Sequence, residues 1–590
     1  MSTRSQFRFG GARNSLSERW RRDGRSLFVL ALLVGGFAVA AARGVWLQVV
    51  AHDDLTRRGD ARTLRDVVSP AHRGRILDRE GAVLALSLPA RGIYALPDQV
   101  ELTPTQRAEL SRLLELTTKD LDRRLNSDRD LVFLARGVSA ERAQAVQALR
   151  IAGIGVQQEF RREYPSHEVS GQIVGMTNVD DRGQEGMELA QDDWLSGKAG
   201  LRRVMIDRKG AVVEELGVVR PPQPGRDLHL SIDSRVQHIA FRELQAAVEK
   251  HRAKGGALVV LDAHTGELLA MVSVPLPRPG ERSAGVGSGL RNRALADLFE
   301  PGSTMKAFTV ATALETRAVA PETALPMTGG VYTINGATIR DVHPVGQGAS
   351  ASVAEVLIKS SNVGTARIAE RIPSDVMANH LLRAGFGRSP QTGFPGETHG
   401  RLRAAQTWRP IEKATIGYGY GLSVNLVQLA RAYTVFANQG QMVDVTLLKS
   451  AGSGRRTQVY SPATVAQVLP MLERSTHRGG TAPLSQVPGY RVAGKTGTAK
   501  KLAGGEYAEG RYVASFVGLA PVSKPRYVVA VMIDEPSAGA IYGGAVAAPV
   551  FSAVMGQTLR LFDVSPDAPL APSPSGGEGS LVAMREVSGR

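Results

Sequence analysis

Residues 27–42 form an uncharged run rich in Leu, Val, Phe and Ala, and after Arg43 the apolar character resumes through residues 44–50. A helix of about 20 such residues spans the hydrocarbon core of a bilayer. Whatever follows it is therefore committed to one side of a membrane. Arg43 can extend its guanidinium towards the interface, and Trp46 suits the headgroup belt. Ahead of the run stand Arg4, Arg8, Arg13, Arg19, Arg21, Arg22 and Arg25, opposed only by Glu18 and Asp23. Cationic flanks stay on the cytoplasmic side. The expected order is a basic cytoplasmic tail over 1–26, a transmembrane anchor over 27–50 and an exported remainder. Ala40-Ala41-Ala42 also has the small-residue pattern of a signal-peptide cleavage site. With or without cleavage, the bulk of the chain is exported.

At 590 residues the chain outgrows one hydrophobic core, so two or three folded units are expected. Its 43% hydrophobic and 22% charged residues suit a globular protein and argue against wholesale disorder. The absence of cysteine excludes disulfide frameworks, thiol nucleophiles and cysteine-ligated zinc. Much of the net charge of +16 comes from the N-terminal arginines. No basic stripe is interleaved with aromatics, and nucleic acid is not expected as a partner. The histidines show no ligand spacing, so neither a metal nor a cofactor is expected. His343 and His477 read as ordinary loop residues.

Residues 51–220 mix short apolar runs with many charges and hold no catalytic constellation. Leu110, Leu113, Leu114 and Leu116 mark a helix there. Pro221-Pro222-Gln223-Pro224-Gly225 reads as a stiff linker and a boundary. Beyond it a helical pattern runs through Val236, Ile239, Ala240 and Leu244. The apolar runs 257–262 and 268–274 flank His264-Thr265-Gly266-Glu267 and predict a hairpin. Helical stretches follow Ser303, Val353 and Leu422, and β-like runs return at 514–519 and 527–533. Strands before and after a run of helices predict an α+β domain with one antiparallel sheet flanked by helices. The Pro/Ser/Gly-rich end predicts a disordered tail over 563–590.

Ser303-Thr304-Met305-Lys306 follows Glu300-Pro301-Gly302 and opens an apolar helical run. A helix-start serine presents its backbone N–H and the positive dipole end to developing negative charge. Residues three apart share a helix face, so the Lys306 amine can reach the Ser303 hydroxyl. That amine acts as a base only when neutral, which requires desolvation or a neighbouring cation. Ser-x-x-Lys alone is a weak signal, but Ser303 is the only serine here three residues before a lysine. Lys359-Ser360-Ser361-Asn362 and Lys495-Thr496-Gly497-Thr498 add what peptide acyl transfer needs: a proton relay, an amide donor and a cation for a terminal carboxylate. Gly497 would let an extended substrate lie close against a strand edge. Two decoys compete. Ser423-Val424-Asn425 repeats Ser-x-Asn and reads as a helix-start serine after a glycine-tyrosine loop. Residues 489–496 satisfy the phosphate-loop pattern, yet neither a buried strand before them nor a helix after them is predicted.

The ordered set Ser303-x-x-Lys306, Ser360-x-Asn362 and Lys495-Thr496-Gly497 resembles that of penicillin-binding proteins and serine β-lactamases. The stretches 44–49, 73–79, 183–188, 291–306, 418–433 and 493–499 are similar to class B penicillin-binding proteins of the division-specific (FtsI-like) kind, over roughly residues 27–560. This resemblance implies an elongated non-catalytic pedestal domain over 51–222 and a transpeptidase domain over 223–562. It further implies a single-pass protein of the bacterial inner membrane with its catalytic domain periplasmic. Stem peptides ending in D-alanyl-D-alanine become the donors, β-lactams the inhibitors, and membrane-embedded divisome proteins, a glycosyltransferase among them, the partners. Ser303 becomes the acyl-enzyme and Lys306 its base. Ser360 relays a proton to the leaving D-alanine, and Asn362 holds the substrate amide and Lys306. Lys495, Thr496 and Thr498 receive the substrate carboxylate, while the backbone N–H groups of Ser303 and Thr498 form the oxyanion hole.

Residues 275–289 lack the usual aromatic-Asp-Pro-Asn of that family, and 342–350 are unlike the common form. Three other readings share the same motifs. These are a β-lactamase or carboxypeptidase that resolves the acyl-enzyme with water, an elongation-specific transpeptidase, and a β-lactam sensor or divisome scaffold without turnover.

Overall fold

The computed structural model describes residues 16–569 apart from 208–211, 277–290, 347–348, 451 and 453. Helix α1 (Leu16–Val45) continues into one π-helical turn, Trp46–Val50. Its apolar part covers 27 residues, Gly24–Val50, none of it buried against the rest of the protein. Among the described residues it is the one helix long and apolar enough to cross a membrane. The Arg43 guanidinium folds back over the Trp46 ring at 4.3 Å. The first residues of the basic tail and most of 275–289 lie outside the described residues.

The chain then builds β1 (Leu64–Ser69), β2 (Val83–Ala95), β3 (Val132–Val138), β4 (Ile154–Glu163), β5 (Gly200–Ile206) and β6 (Val212–Arg220). Strand β5 lies between β1 and β6, and the long β2 pairs with both β3 and β4, all antiparallel. Leu110 and Leu114 enter a small core with Ile93, Leu121 and Leu134. Their helix, Pro104–Leu114, opens on a Thr103–Gln106 capping box and stops at Glu115, whose φ is +55°. Leu116, expected within it, therefore lies past its end. Glu188 is fully buried between Arg73 and Arg162, each at 2.7 Å. Two separated charged stretches, 73–79 and 183–188, thus meet in one ion cluster. The proline-rich segment is tied down too: Gln223 exchanges backbone hydrogen bonds with Lys198, and the Gly225 N–H donates to the His72 carbonyl at 2.8 Å.

The second half contains α2 (Ser234–Lys250), α3 (Lys306–Glu315), α4 (Val353–Lys359), α5 (Asn362–Glu370), α6 (Leu426–Ala437), α7 (Pro462–Arg474) and α8 (Ala548–Leu561). Of these, α2, α6, α7 and α8 pack against a five-stranded sheet made from β7 (Gly255–Asp262), β8 (Leu268–Val274), β9 (Ala493–Ala503), β10 (Glu506–Ala520) and β11 (Tyr527–Asp534). The order is β8-β7-β11-β10-β9, with every neighbour antiparallel. The predicted hairpin is β7–β8. Every residue of β7 and β11 is buried, so these strands read as unbroken apolar runs. Alternation still divides the core. Val259, Leu261, Val528 and Ala530 pack with α3 and α6, whereas Leu258, Val260, Val529 and Val531 pack with α2 and α8. Helix α6 is buried at all positions, as is α3 from Lys306 to Leu314. The Asp567 carboxylate still accepts from the Arg491 and Ser523 N–H groups, and the rest of the expected tail, 570–590, lies outside the described residues.

Candidate active site

Ser303 sits in one 3₁₀ turn, Gly302–Met305, that feeds directly into α3. In a 3₁₀ turn residues i and i+3 eclipse, which aligns Ser303 with Lys306 more closely than an α-helical turn does. The turn is over-determined by its neighbours. Gly302 has φ of +55°, and its N–H donates to the Gly419 carbonyl at 3.1 Å. Thr304 caps the Pro301 carbonyl, and the Tyr433 hydroxyl donates to the Thr304 carbonyl, both at 2.8 Å. Phe299 and Val424 exchange backbone hydrogen bonds just before it. The glycine-tyrosine loop therefore serves as a clamp on the Ser303 turn.

Lys306 is fully buried. Its Nζ contacts the Ser360 carbonyl at 2.5 Å, Asn362 Oδ1 at 2.8 Å and Ser360 Oγ at 3.2 Å. The Ser303 hydroxyl, expected as its partner, is not among these contacts. Lys495 Nζ reaches the same Ser360 Oγ at 2.9 Å, so two buried amines converge on one hydroxyl. Burial first, and then the positive field of Lys495, push the Lys306 amine well below its usual range, while Asp341 pulls the other way. Burial lowers Lys495 to about 7. Three oxygens surround this Lys306 amine: a charged one can donate to all of them, and a neutral one can donate to the two carbonyl oxygens and accept from the Ser360 hydroxyl.

Ser360 itself has φ of +61°, a left-handed conformation that costs an L-residue about 1–3 kcal/mol. It is the left-handed cap of α4, closed by the Ser360 N–H on the Leu357 carbonyl and the Ser361 N–H on the Val356 carbonyl, and the residues after it are held by one that no motif marks. One Asp341 carboxylate oxygen accepts from the Asn362 and Val363 N–H groups at 2.6 and 3.0 Å, and the other accepts from the Ser361 hydroxyl at 2.8 Å. Ser361 in turn caps α5 through the Gly364 N–H. Asn362 Nδ2 donates to the Arg340 carbonyl at 2.9 Å, which fixes Oδ1 towards Lys306. An isolated aspartate at the end of a short hairpin carries no sequence signal for this role.

The third motif lies on β9, the edge strand of the sheet, so one side of its backbone is left without a strand partner. Thr496 Oγ1 bonds Thr481 Oγ1 at 3.1 Å, and Thr498 Oγ1 accepts from the Gly543 N–H at 3.1 Å. Neither Thr481 nor Gly543 stood out in the sequence. Packing by itself already requires glycine at Gly497. A Cβ there would lie 2.3 Å from Ser515 Oγ and 2.8 Å from the Pro301 carbonyl, so only glycine lets β9 press against the Ser303 turn. Likewise, a Cβ on Gly302 would lie 3.3 Å from the Thr498 carbonyl. The backbones of the first and third motifs run side by side.

The three segments that carry the eight expected residues thus pack against one another, through Lys306 and Lys495 on Ser360 and through Gly497 on the Ser303 turn. The decoys fall away. Asn425, not Ser423, caps α6, its Oδ1 accepting from the Gln428 N–H at 2.7 Å. Residues 489–496 lead into strand β9, not from a strand into a helix, which removes the geometry a phosphate loop needs.

Comparison with known proteins places this geometry in context. Residues 256–556 match the model of the penicillin-binding protein transpeptidase domain, and residues 68–230 that of the penicillin-binding protein dimerisation domain. The chain is 39% identical to the probable peptidoglycan D,D-transpeptidase PenA of Neisseria gonorrhoeae, covering 93% of this chain and 94% of that one. It is also 39% identical to the peptidoglycan D,D-transpeptidase FtsI of Escherichia coli, covering 91% and 92%. The apo TP domain of Burkholderia pseudomallei penicillin-binding protein 3 superimposes with a TM-score of 0.53 and 46% identity, over 58% of this chain and 98% of that structure.

Proposed function

The chain belongs to the class B penicillin-binding proteins, the division-type peptidoglycan D,D-transpeptidases, and from that membership we propose that Ser303 carries the acyl group in stem-peptide cross-linking. The observation that carries this reading is the fully buried Lys306 amine, crowded by the Ser360 and Asn362 oxygens and pushed well below its usual range by burial and by Lys495. In its neutral form its lone pair takes the Ser303 proton once that side chain replaces the Ser360 hydroxyl beside it. Ser303 Oγ then attacks the penultimate carbonyl of the donor stem. The oxyanion forms against the Ser303 and Thr498 N–H groups, each such donor being worth about 3 kcal/mol. Lys495, Thr496 and Thr498 hold the terminal carboxylate. The bond to the last D-alanine breaks, and Ser360 passes a proton to the leaving amine, replenished through its contacts with the two lysines. A second stem's amine nitrogen then bonds the ester carbon, the carbon–Oγ bond breaks, and the amine's proton returns to Ser303 Oγ.

The same reading assigns 51–222 to a non-catalytic pedestal and 223–562 to the catalytic unit. It sets residues 1–26 in the cytoplasm by the positive-inside rule, with the catalytic cleft in the periplasm beside a membrane-embedded glycosyltransferase and other division proteins. The test is labelling of the purified full-length protein with a fluorescent penicillin, followed by peptide mapping. A long-lived adduct on Ser303, lost in Ser303→Ala, is expected. An adduct on any other side chain would refute the assignment, and one released within seconds would favour hydrolysis.

A further inference from the structure

Attack by the second amine is the reverse of expulsion of the first, so the acceptor enters on the side from which D-alanine leaves. In the reading above, on which this inference rests, that side is the one bounded by Ser360, Lys495 and Thr496. The rim there is cationic. Lys359 is exposed immediately before Ser360, and Arg474 and Arg478 are exposed in the segment that leads to Thr481. Thr481 bonds Thr496. The two segments touch: a methyl built on Gly479 would lie 3.7 Å from Lys359 Nζ, and the Gly480 N–H closes a turn onto the His477 carbonyl at 2.9 Å.

Glu355 lies within electrostatic reach of Lys359 and Arg474, but its carboxylate is already engaged by the Ser352 N–H at 2.9 Å and the Ser352 hydroxyl at 3.0 Å. Among the described residues, none of the three cations makes an ion pair with an acid within 4 Å. The other acid on this segment, Glu473, is held by Arg491 at 2.7 Å. Three cations with little local compensation thus flank the route by which the acceptor arrives. We infer that Lys359, Arg474 and Arg478 form the docking rim for the acceptor stem, a peptide bearing carboxylates away from its reacting amine. Complementary charge of this kind sets partner choice and encounter rate more than it sets stability.

The test uses the full-length protein, a D-alanyl thioester donor, and two peptide acceptors that differ only in whether the carboxylates remote from the amine are free or amidated. The ratio of aminolysis to hydrolysis is read for each, since a change in acylation cancels within that ratio. Wild type is expected to favour the free-carboxylate acceptor, and Arg474→Gln/Arg478→Gln to lose about three- to tenfold of that preference. In wild type the preference should also shrink in about 0.5 M salt, as exposed charges are screened. Equal use of both acceptors by wild type, or a preference that survives both the double variant and salt, would overturn the rim. Acylation of wild type with no transfer to any amine would instead overturn the transpeptidase reading beneath it.

Discussion

Replacing Lys495 with methionine is expected to stabilise the protein while abolishing its acylation. Lys495 is fully buried, and burial brings its amine from 10.5 to about 7. An amine depressed in the fold costs stability wherever the unfolded lysine keeps its proton. The cost is complete below the folded value and vanishes above the unfolded one. At 1.36 kcal/mol per pH unit, it amounts to about 5 kcal/mol below pH 6, about 4 at pH 7 and about 2 at pH 9. Methionine fills a similar volume without the charge but gives up the 2.9 Å contact with Ser360, worth about 1 kcal/mol net. The variant should therefore gain about 3 kcal/mol at pH 7 and about 1 kcal/mol at pH 9. In a unit of this size the larger gain corresponds to a melting shift of about 5 °C. Thermal unfolding of the detergent-solubilised full-length protein at pH 6, 7 and 9 measures it, following the transition that a bound penicillin raises. A variant that melts below wild type at pH 7, or a gain that does not shrink towards pH 9, would refute the reasoning. Acylation should be lost twice over. The carboxylate loses its cation, and Lys306 holds its proton more tightly without a positive neighbour.

The second-order rate of penicillin acylation in wild type should fall as pH rises through about 7, because free Lys495 loses its proton there, whereas Lys495→Arg should show no such fall up to pH 9, whatever its absolute rate. Gly497→Ala should reduce that rate at least about 100-fold, because its methyl would meet Ser515 Oγ at 2.3 Å and the Pro301 carbonyl at 2.8 Å and push β9 off the Ser303 turn. A rate within threefold of wild type would contradict that packing.

The membrane run, the three motifs and the β7–β8 hairpin could all be read from residue order, because each depends on neighbours close in the chain. The apolar runs of β7 and β11 likewise read as strands, and the structure buries every residue of both. Asp341 and Thr481 carry no local signal, because their roles exist only through partners about 15–20 residues away. Leucine spacing runs on past the end of the Pro104–Leu114 helix, whereas the chain stops it at Glu115 by turning left-handed.

By itself the amino-acid order determined the fold class, one N-terminal apolar helix long enough to cross a membrane, and which residue types stand in the three motifs. The tertiary structure alone decided that Lys306 turns to Ser360 and Asn362 instead of resting on Ser303, and that Lys495 shares that same hydroxyl. Spacing along a chain specifies which groups are available. An amine loses its proton only when distant segments close around it and take its water away.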